Sequence, residues 1–113
     1  MQIKDVFGDE IILTEERIRH IITRHPEMKD LINEINEVIK NPDFIKTSIY
    51  DKEVLLYHKF YDSIYKGNYA IVAIVKRLKE KFVTTAYISE YEKQGKLIWK
   101  KKWYFILIKK EIY

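Results

Sequence analysis

The 113-residue sequence predicts an α+β domain in which two N-terminal helices pack on a curved antiparallel sheet of four to five strands. Two observations carry this. Before Pro42 the apolar residues recur at spacings of three and four, the period of a helix with one buried face. After it, β-branched and aromatic residues follow at short intervals, broken by brief polar connections, as strands joined by hairpins require.

Taken in order, Thr14 before Glu15 and Glu16 reads as an N-cap with first-turn acids, and predicts helix one over Glu15 to Arg24. Pro26 disfavours helical geometry at His25 yet suits the first turn of a new helix. Met28, Leu31, Ile32, Ile35, Val38 and Ile39 then supply the buried face of helix two, and Asn41-Pro42 stops it. Strands are expected at Ile45 to Tyr50, Val54 to Tyr61, Tyr69 to Arg77 and Phe82 to Ile88, separated by "YDK", "DSIYKGN" and "LKEK". Such short links favour an antiparallel meander, because a parallel pair needs a crossover of about a dozen residues or more. In the tail "KLIWKKKWYFILIKKEIY", Trp103 to Ile108 fits a fifth strand or a short helix. No linker or repeat divides the chain, so residues 1–113 read as a single domain.

Composition narrows the chemistry. With 47% hydrophobic and 34% charged residues the chain reads as soluble and folded. Lacking cysteine, it has no disulfide framework, thiol nucleophile or cysteine-based zinc site. "MQIKDVFGDE" carries charge where an export signal needs an apolar run, and no apolar stretch approaches a membrane span, so a cytoplasmic protein with no membrane partner is expected. A net charge of +4 and a pI near 9.1 mildly favour a polyanionic partner.

"ERIRHIITRHPE", Glu16 to Glu27, is the densest chemical stretch. On a helical wheel Ile18, Ile21, Ile22 and His25 fall on one side, while Arg17, His20 and Arg24 form a separate stripe. Arginine presents a donor fork matched to phosphate oxygens, and histidine can take or give a proton near neutrality. Together they meet the needs of metal-free RNA cleavage: a base, an acid, and cations for the charge building on phosphorus. A solvated basic helix face explains the same spacing. His25, before a proline and among isoleucines, suits capping or packing. No Asp/Glu/His cluster accompanies the two histidines, so no metal or other cofactor is expected.

On the strands, a turn at Lys79-Glu80 would set Lys76 opposite Val83, Ile74 opposite Thr85 and Val72 opposite Tyr87. Lys76, Thr85 and Tyr87 would then share a face, with Val83, Thr85 and Tyr87 together by alternation alone. Tyr57 and Lys59 alternate onto one face, opposite Leu56, His58 and Phe60. Such hydroxyls and ammonium groups can bind phosphate, and tyrosine can stack on an unpaired base. The plainer account is good strand formers and lysines reaching for water.

"LTEERIRHIITRHPE", "NPDFI", "LLYHKFY", "YAIVAIVK", "FVTTAY" and "GKLIW", in this order and spacing, resemble the phage-type members of the barnase/EndoU/colicin/RelE-like (BECR fold) nuclease superfamily. The resemblance covers about residues 13–99, leaving a Lys- and aromatic-rich extension at 100–113; "ERxxHIxxRHPE" and "TAY" are its specific part. It implies two helices on a curved antiparallel sheet and a metal-independent endoribonuclease found in phage and toxin settings. By position it places family site residues on Arg17, His20, Arg24, His25, Lys59, Lys76, Thr85 and Tyr87. His58 departs from the pattern, where an aromatic is more usual. Combined with the stripe and the sheet face, the expectation is attack by the ribose 2′-hydroxyl leaving a 2′,3′-cyclic phosphate. Arg17, Arg24 and Lys59 would hold the phosphate, His20 would transfer the proton, and Thr85 and Tyr87 would orient the scissile group or stack on a base. His25, Tyr57, Lys76, Trp99 and Lys101 would bind substrate, the last two from the basic "KLIWKKKW" segment. The expected partners are RNA, whether tRNA or mRNA, and an antitoxin or immunity protein. The alternative is a catalytically inactive RNA-binding or protein-interaction module on the same fold.

Overall fold

Thr14 caps the first helix as its sequence position predicts. In the computed structural model, which describes residues 1–102, its Oγ1 accepts the N–H of Arg17 at 3.1 Å and α1 spans Glu15–Arg24. The predicted second helix is divided. Pro26–Asp30 forms a 3-10 turn, closed by Met28 N–H to His25 O at 2.9 Å and Leu31 N–H to Met28 O at 3.0 Å. Leu31, at φ −122°, leaves helical geometry, and α2 begins only at Ile32, running to Lys40. Ile35, Val38 and Ile39 are fully buried, the face their spacing predicts, each worth about 1.5–3 kcal/mol in transfer from water.

The sheet is larger and less regular than expected. Among the described residues its seven strands are β1 (Gln2–Lys4), β2 (Glu10–Ile12), β3 (Phe44–Thr47), β4 (Val54–Ile64), β5 (Gly67–Arg77), β6 (Glu80–Ser89) and β7 (Leu97–Lys100), in the order β1-β2-β6-β5-β4-β3-β7. An antiparallel sheet of four to five strands is therefore corrected to a seven-stranded mixed one. The parallel pair is β2 with β6, Ile11 opposite Lys81 and Ile12 opposite Phe82, and everything between them in sequence forms the crossover. β1 and β2 are three residues each, too short for alternation to show. β3 stops at Thr47 rather than Tyr50, because Ser48 Oγ accepts the N–H of Tyr50 at 3.1 Å and turns the chain. The region Trp103 to Ile108, expected as strand or helix, lies outside the described residues. No described helix is long and apolar enough to cross a membrane.

The β5–β6 register decides which side chains meet. The turn is Leu78-Lys79, with Arg77 opposite Glu80 and Leu78 at φ +57°, so Lys76 faces Lys81 and Ile74 faces Val83. Between Ala73 and Ile74 the register shifts, because β6 carries Thr84 as an extra residue; beyond it Thr85 faces Ala73 and Tyr87 faces Ile71. The bulge breaks the alternation: Val83 packs in the helix-side core, whereas Tyr87 packs with Ile71 and Ala73 on the opposite face. Lys76 shares the helix-side parity of Val72 and Ile74, so it does not share a face with Thr85 and Tyr87.

Ile21, Met28, Ile35, Val38, Ile45, Tyr57, Val72, Ile74 and Ala86 form the core between helices and sheet. The other face buries Phe44, Leu56, His58 and Ile71, and among the described residues no helix covers it. Residues 90–96 cover it, because the chain must travel from β6 to the far edge of the sheet before β7 can pair with β3. The Lys93 N–H meets His58 on the way, and at Gly95, φ +155°, a Cβ would stand 1.9 Å from the Thr47 carbonyl oxygen.

A buried polar network ties the N-terminal hairpin to this sheet. Asp5 Oδ1 accepts the N–H groups of Phe7 and Asp9, both at 3.0 Å, and Oδ2 accepts the Tyr57 hydroxyl and Lys81 Nζ, the latter at 3.1 Å. Lys81 also pairs with Asp9 at 2.9 Å, and its ammonium holds the Asp9 carboxyl below the usual carboxylate range. Burial, and then the bond to Asp5, push the Tyr57 phenol well above its ordinary value.

Candidate active site

Because β2 delivers the chain directly into Thr14, α1 runs beside β6 past the end of the short parallel pair. Arg17 leans back onto the sheet, its Nη1 donating to the Thr84 carbonyl at 3.4 Å. That carbonyl belongs to the bulge residue, whose own Oγ1 donates to the Ala73 carbonyl at 3.0 Å. One extra residue in β6 thus gives Arg17 a seat and turns Thr85 and Tyr87 onto the face away from the helices.

At the other end of α1 the imidazole of His25 lies against the Tyr87 ring, centroids 5.3 Å apart and planes 30° from parallel. The "RHPE" order explains the imidazole's other neighbour. Pro26 opens the 3-10 turn, and Glu27 comes back so that its Oε1 stands 3.7 Å from His25 Nδ1. Both side chains are largely covered, at 33% and 16% exposure, so the carboxylate can orient the ring. Burial pushes the Tyr87 phenol up to about 12, keeping it a hydrogen-bond donor at neutral pH.

Beside Tyr87 lies a cleft of about 360 Å³, lined by Ser48, Ile49, Tyr50, Leu56, Glu92, Lys93 and Gln94. A groove on the same sheet passes Arg17, Val54, Val75, Arg77, Phe82 and Thr84. Lys93 Nζ stands 5.4 Å from the centre of the Tyr87 ring.

The expected residues divide sharply by place. Arg17 sits on the Thr84 carbonyl near the start of α1 and His25 against Tyr87 at its end, with Thr85 and Tyr87 on the sheet face away from the helices. Arg24 is exposed in the last turn of α1, adjacent in sequence to His25. His20 points elsewhere, its side chain 61% exposed and 3.8 Å from Glu16, one helical turn back. Lys59 donates to the Asn41 carbonyl at 2.9 Å and so caps α2 from the helix side. Tyr57 is fully buried on Asp5, Lys76 borders Asp9 and Glu10 behind the sheet, and Trp99 packs half-buried against the helix-side core. Lys101 pairs with Asp43 at 3.7 Å. Glu27 and Lys93 join the site without having been singled out. "RHPE" carried the signal for Glu27; Lys93 had none, since only the crossing of residues 90–96 brings it to Tyr87. Among the described residues no cluster of three metal-ligating side chains is present.

A family model described as phage-Barnase-EndoU-ColicinE5/D-RelE like nuclease3 matches residues 3–96. The chain belongs to this nuclease family. The match runs from β1 to the residue before β7, and so takes in both helices, the bulge and the segment that carries Lys93. No curated protein and no solved structure matches the chain.

Proposed function

We propose that this member of the nuclease family is a metal-independent endoribonuclease, cleaving by attack of the ribose 2′-hydroxyl on the adjacent phosphorus. The observation that carries the reading is the His25–Tyr87 pair, an imidazole and a neutral phenol with ring centroids 5.3 Å apart, beside a cleft that Lys93 lines. His25, oriented by Glu27, takes the 2′-hydroxyl proton; the 2′-oxygen bonds to phosphorus as the bond to the 5′-oxygen breaks. Tyr87 supplies the proton that the departing oxygen needs. Arg17 and Arg24 neutralise the charge developing on the phosphoryl oxygens, and Thr85 orients them. The products are a 2′,3′-cyclic phosphate and a 5′-hydroxyl. The proton-transfer role expected of His20 passes to His25, because a base must reach its proton and His20 stands on the outer side of α1.

The test is incubation with mixed RNA in EDTA, with analysis of the new ends. The wild type should leave 2′,3′-cyclic phosphates, His25→Ala should lose about 10²–10⁴-fold in rate, and His20→Ala should remain near wild type. The reverse order for the two histidines would return the proton transfer to His20. Intact RNA retained by the wild type would instead identify a binding module without turnover.

A further inference from the structure

Residues 90–96 do more than cover apolar surface, because the backbone of one residue in them, Lys93, is held on both sides. The Lys93 N–H donates to His58 Nε2 at 3.0 Å, and the Lys93 carbonyl accepts from Lys46 Nζ at 3.0 Å. His58 is itself immobilised. It is fully buried, stacked on Phe44 with centroids 4.4 Å apart and edge-on to Tyr69 at 6.2 Å. Since Nε2 accepts, the proton sits on Nδ1, which donates to the Leu56 carbonyl at 2.9 Å. Both ring nitrogens of this buried histidine are thus engaged, one by its own strand and one by the crossing segment. An aromatic hydrocarbon would fill the same space with less desolvation, so the imidazole is explained by the hydrogen bond it offers.

What this arrangement delivers is the Lys93 ammonium, 5.4 Å from the Tyr87 ring and lining the cleft beside it. Glu92, the acid of that cleft, is paired with Lys46 at 2.9 Å. Lysine usually presents its charge on a mobile stem; fixing the Lys93 backbone at both its N–H and its C=O reduces what binding must order.

We propose that Lys93 binds a phosphate of RNA lying across Tyr87, and that His58 is the positioning residue that holds it there. The identity of the ligand rests on the ribonuclease reading. The binding itself can be measured without turnover.

The probe is a fluorescent single-stranded oligoribonucleotide, 2′-O-methylated so that it cannot be cleaved, titrated at several salt concentrations. Lys93→Met should weaken binding roughly tenfold at low salt and reduce the slope of log K against log salt by about 0.7, the signature of one lost contact on a single strand. Lys93→Arg should keep the slope, and so should Lys79→Met in the distant β5–β6 turn. His58→Phe should lose several-fold, and that loss should vanish in the Lys93→Met background, because the two act through one contact. If His58→Phe does not fold, His58→Gln takes its place under the same requirement. An unchanged slope in Lys93→Met overturns the phosphate contact. Full affinity in the folded His58 variant, or a loss additive with Lys93→Met, overturns the positioning role. A wild type that cleaves RNA while Lys93→Met keeps its slope leaves the ribonuclease reading standing and this inference fallen; one that does not cleave while the Lys93 and His58 results hold does the opposite.

Discussion

Tyr87 and His58 show how burial sets what a single side chain can do. Burial raises the Tyr87 phenol to about 12, so across the working range it remains protonated and donates. Tyr87→Phe should therefore lower kcat by about 10²-fold while leaving the pH–rate profile below pH 10 unshifted. A basic limb below pH 10 that disappears in the variant would mean that the Tyr87 phenol is already losing its proton within the working range. For His58 burial acts in the opposite direction, lowering the imidazole to about 4. Unfolded, it would bind a proton near its ordinary 6.5; folded, it resists until about 4. The unfolded state thus holds more protons between those values, and stability is present above about pH 6.5 and lost as pH falls toward 4, by up to about 3 kcal/mol. Urea midpoints at pH 7 and pH 4.5 measure it. A folded His58→Phe variant should show a smaller drop than wild type by this amount.

At the scale of elements, the legible features were those with a local cause. Thr14 with Glu15 and Glu16 marks the start of α1, and the three-and-four spacing of Ile35, Val38 and Ile39 marks the buried face of α2. The β6 bulge has no comparable mark. "KFVTTAYIS" alternates as well without an extra residue as with one, and the Leu78-Lys79 turn lacks the Asn-Gly or Asp-Gly pair that would fix the register. Register followed instead from the fit of both strands to the core, so the partner face of Thr85 and Tyr87 was beyond sequence reasoning. The hydroxyl of Thr84 is what satisfies the bulge, through its bond to the Ala73 carbonyl. Thr84→Val keeps the shape and removes the donor. It should cost about 1–2 kcal/mol in urea unfolding, with a matching rise in KM if Arg17 loses its seat on the Thr84 carbonyl. Unchanged stability would show that water replaces the hydroxyl.

For the whole molecule, the site depends on a contact between the two ends of the family region. Arg17 and His25 reach β6 only because β2 lies parallel to it, and a pairing between residue 11 and residue 81 leaves no trace in local pattern. The physical anchor of that pairing is Asp5, which binds Tyr57 from β4 and Lys81 from β6 while accepting two N–H groups of its own turn. Asp5→Ala strips Lys81, only 5% exposed, of one of its two carboxylates and leaves the buried Tyr57 hydroxyl without its acceptor. A buried pair broken from one side costs about 3–5 kcal/mol, a large share of the roughly 5–15 kcal/mol that holds a domain folded. Tyr57→Phe removes only the hydroxyl and should cost about 1–2 kcal/mol. In the double variant the losses should fall short of their sum, since the bond lost in Tyr57→Phe is already absent once Asp5 is gone. Strict additivity in urea unfolding would mean that Asp5 and Tyr57 stabilise the fold independently, and that the N-terminal hairpin is anchored by Lys81 alone.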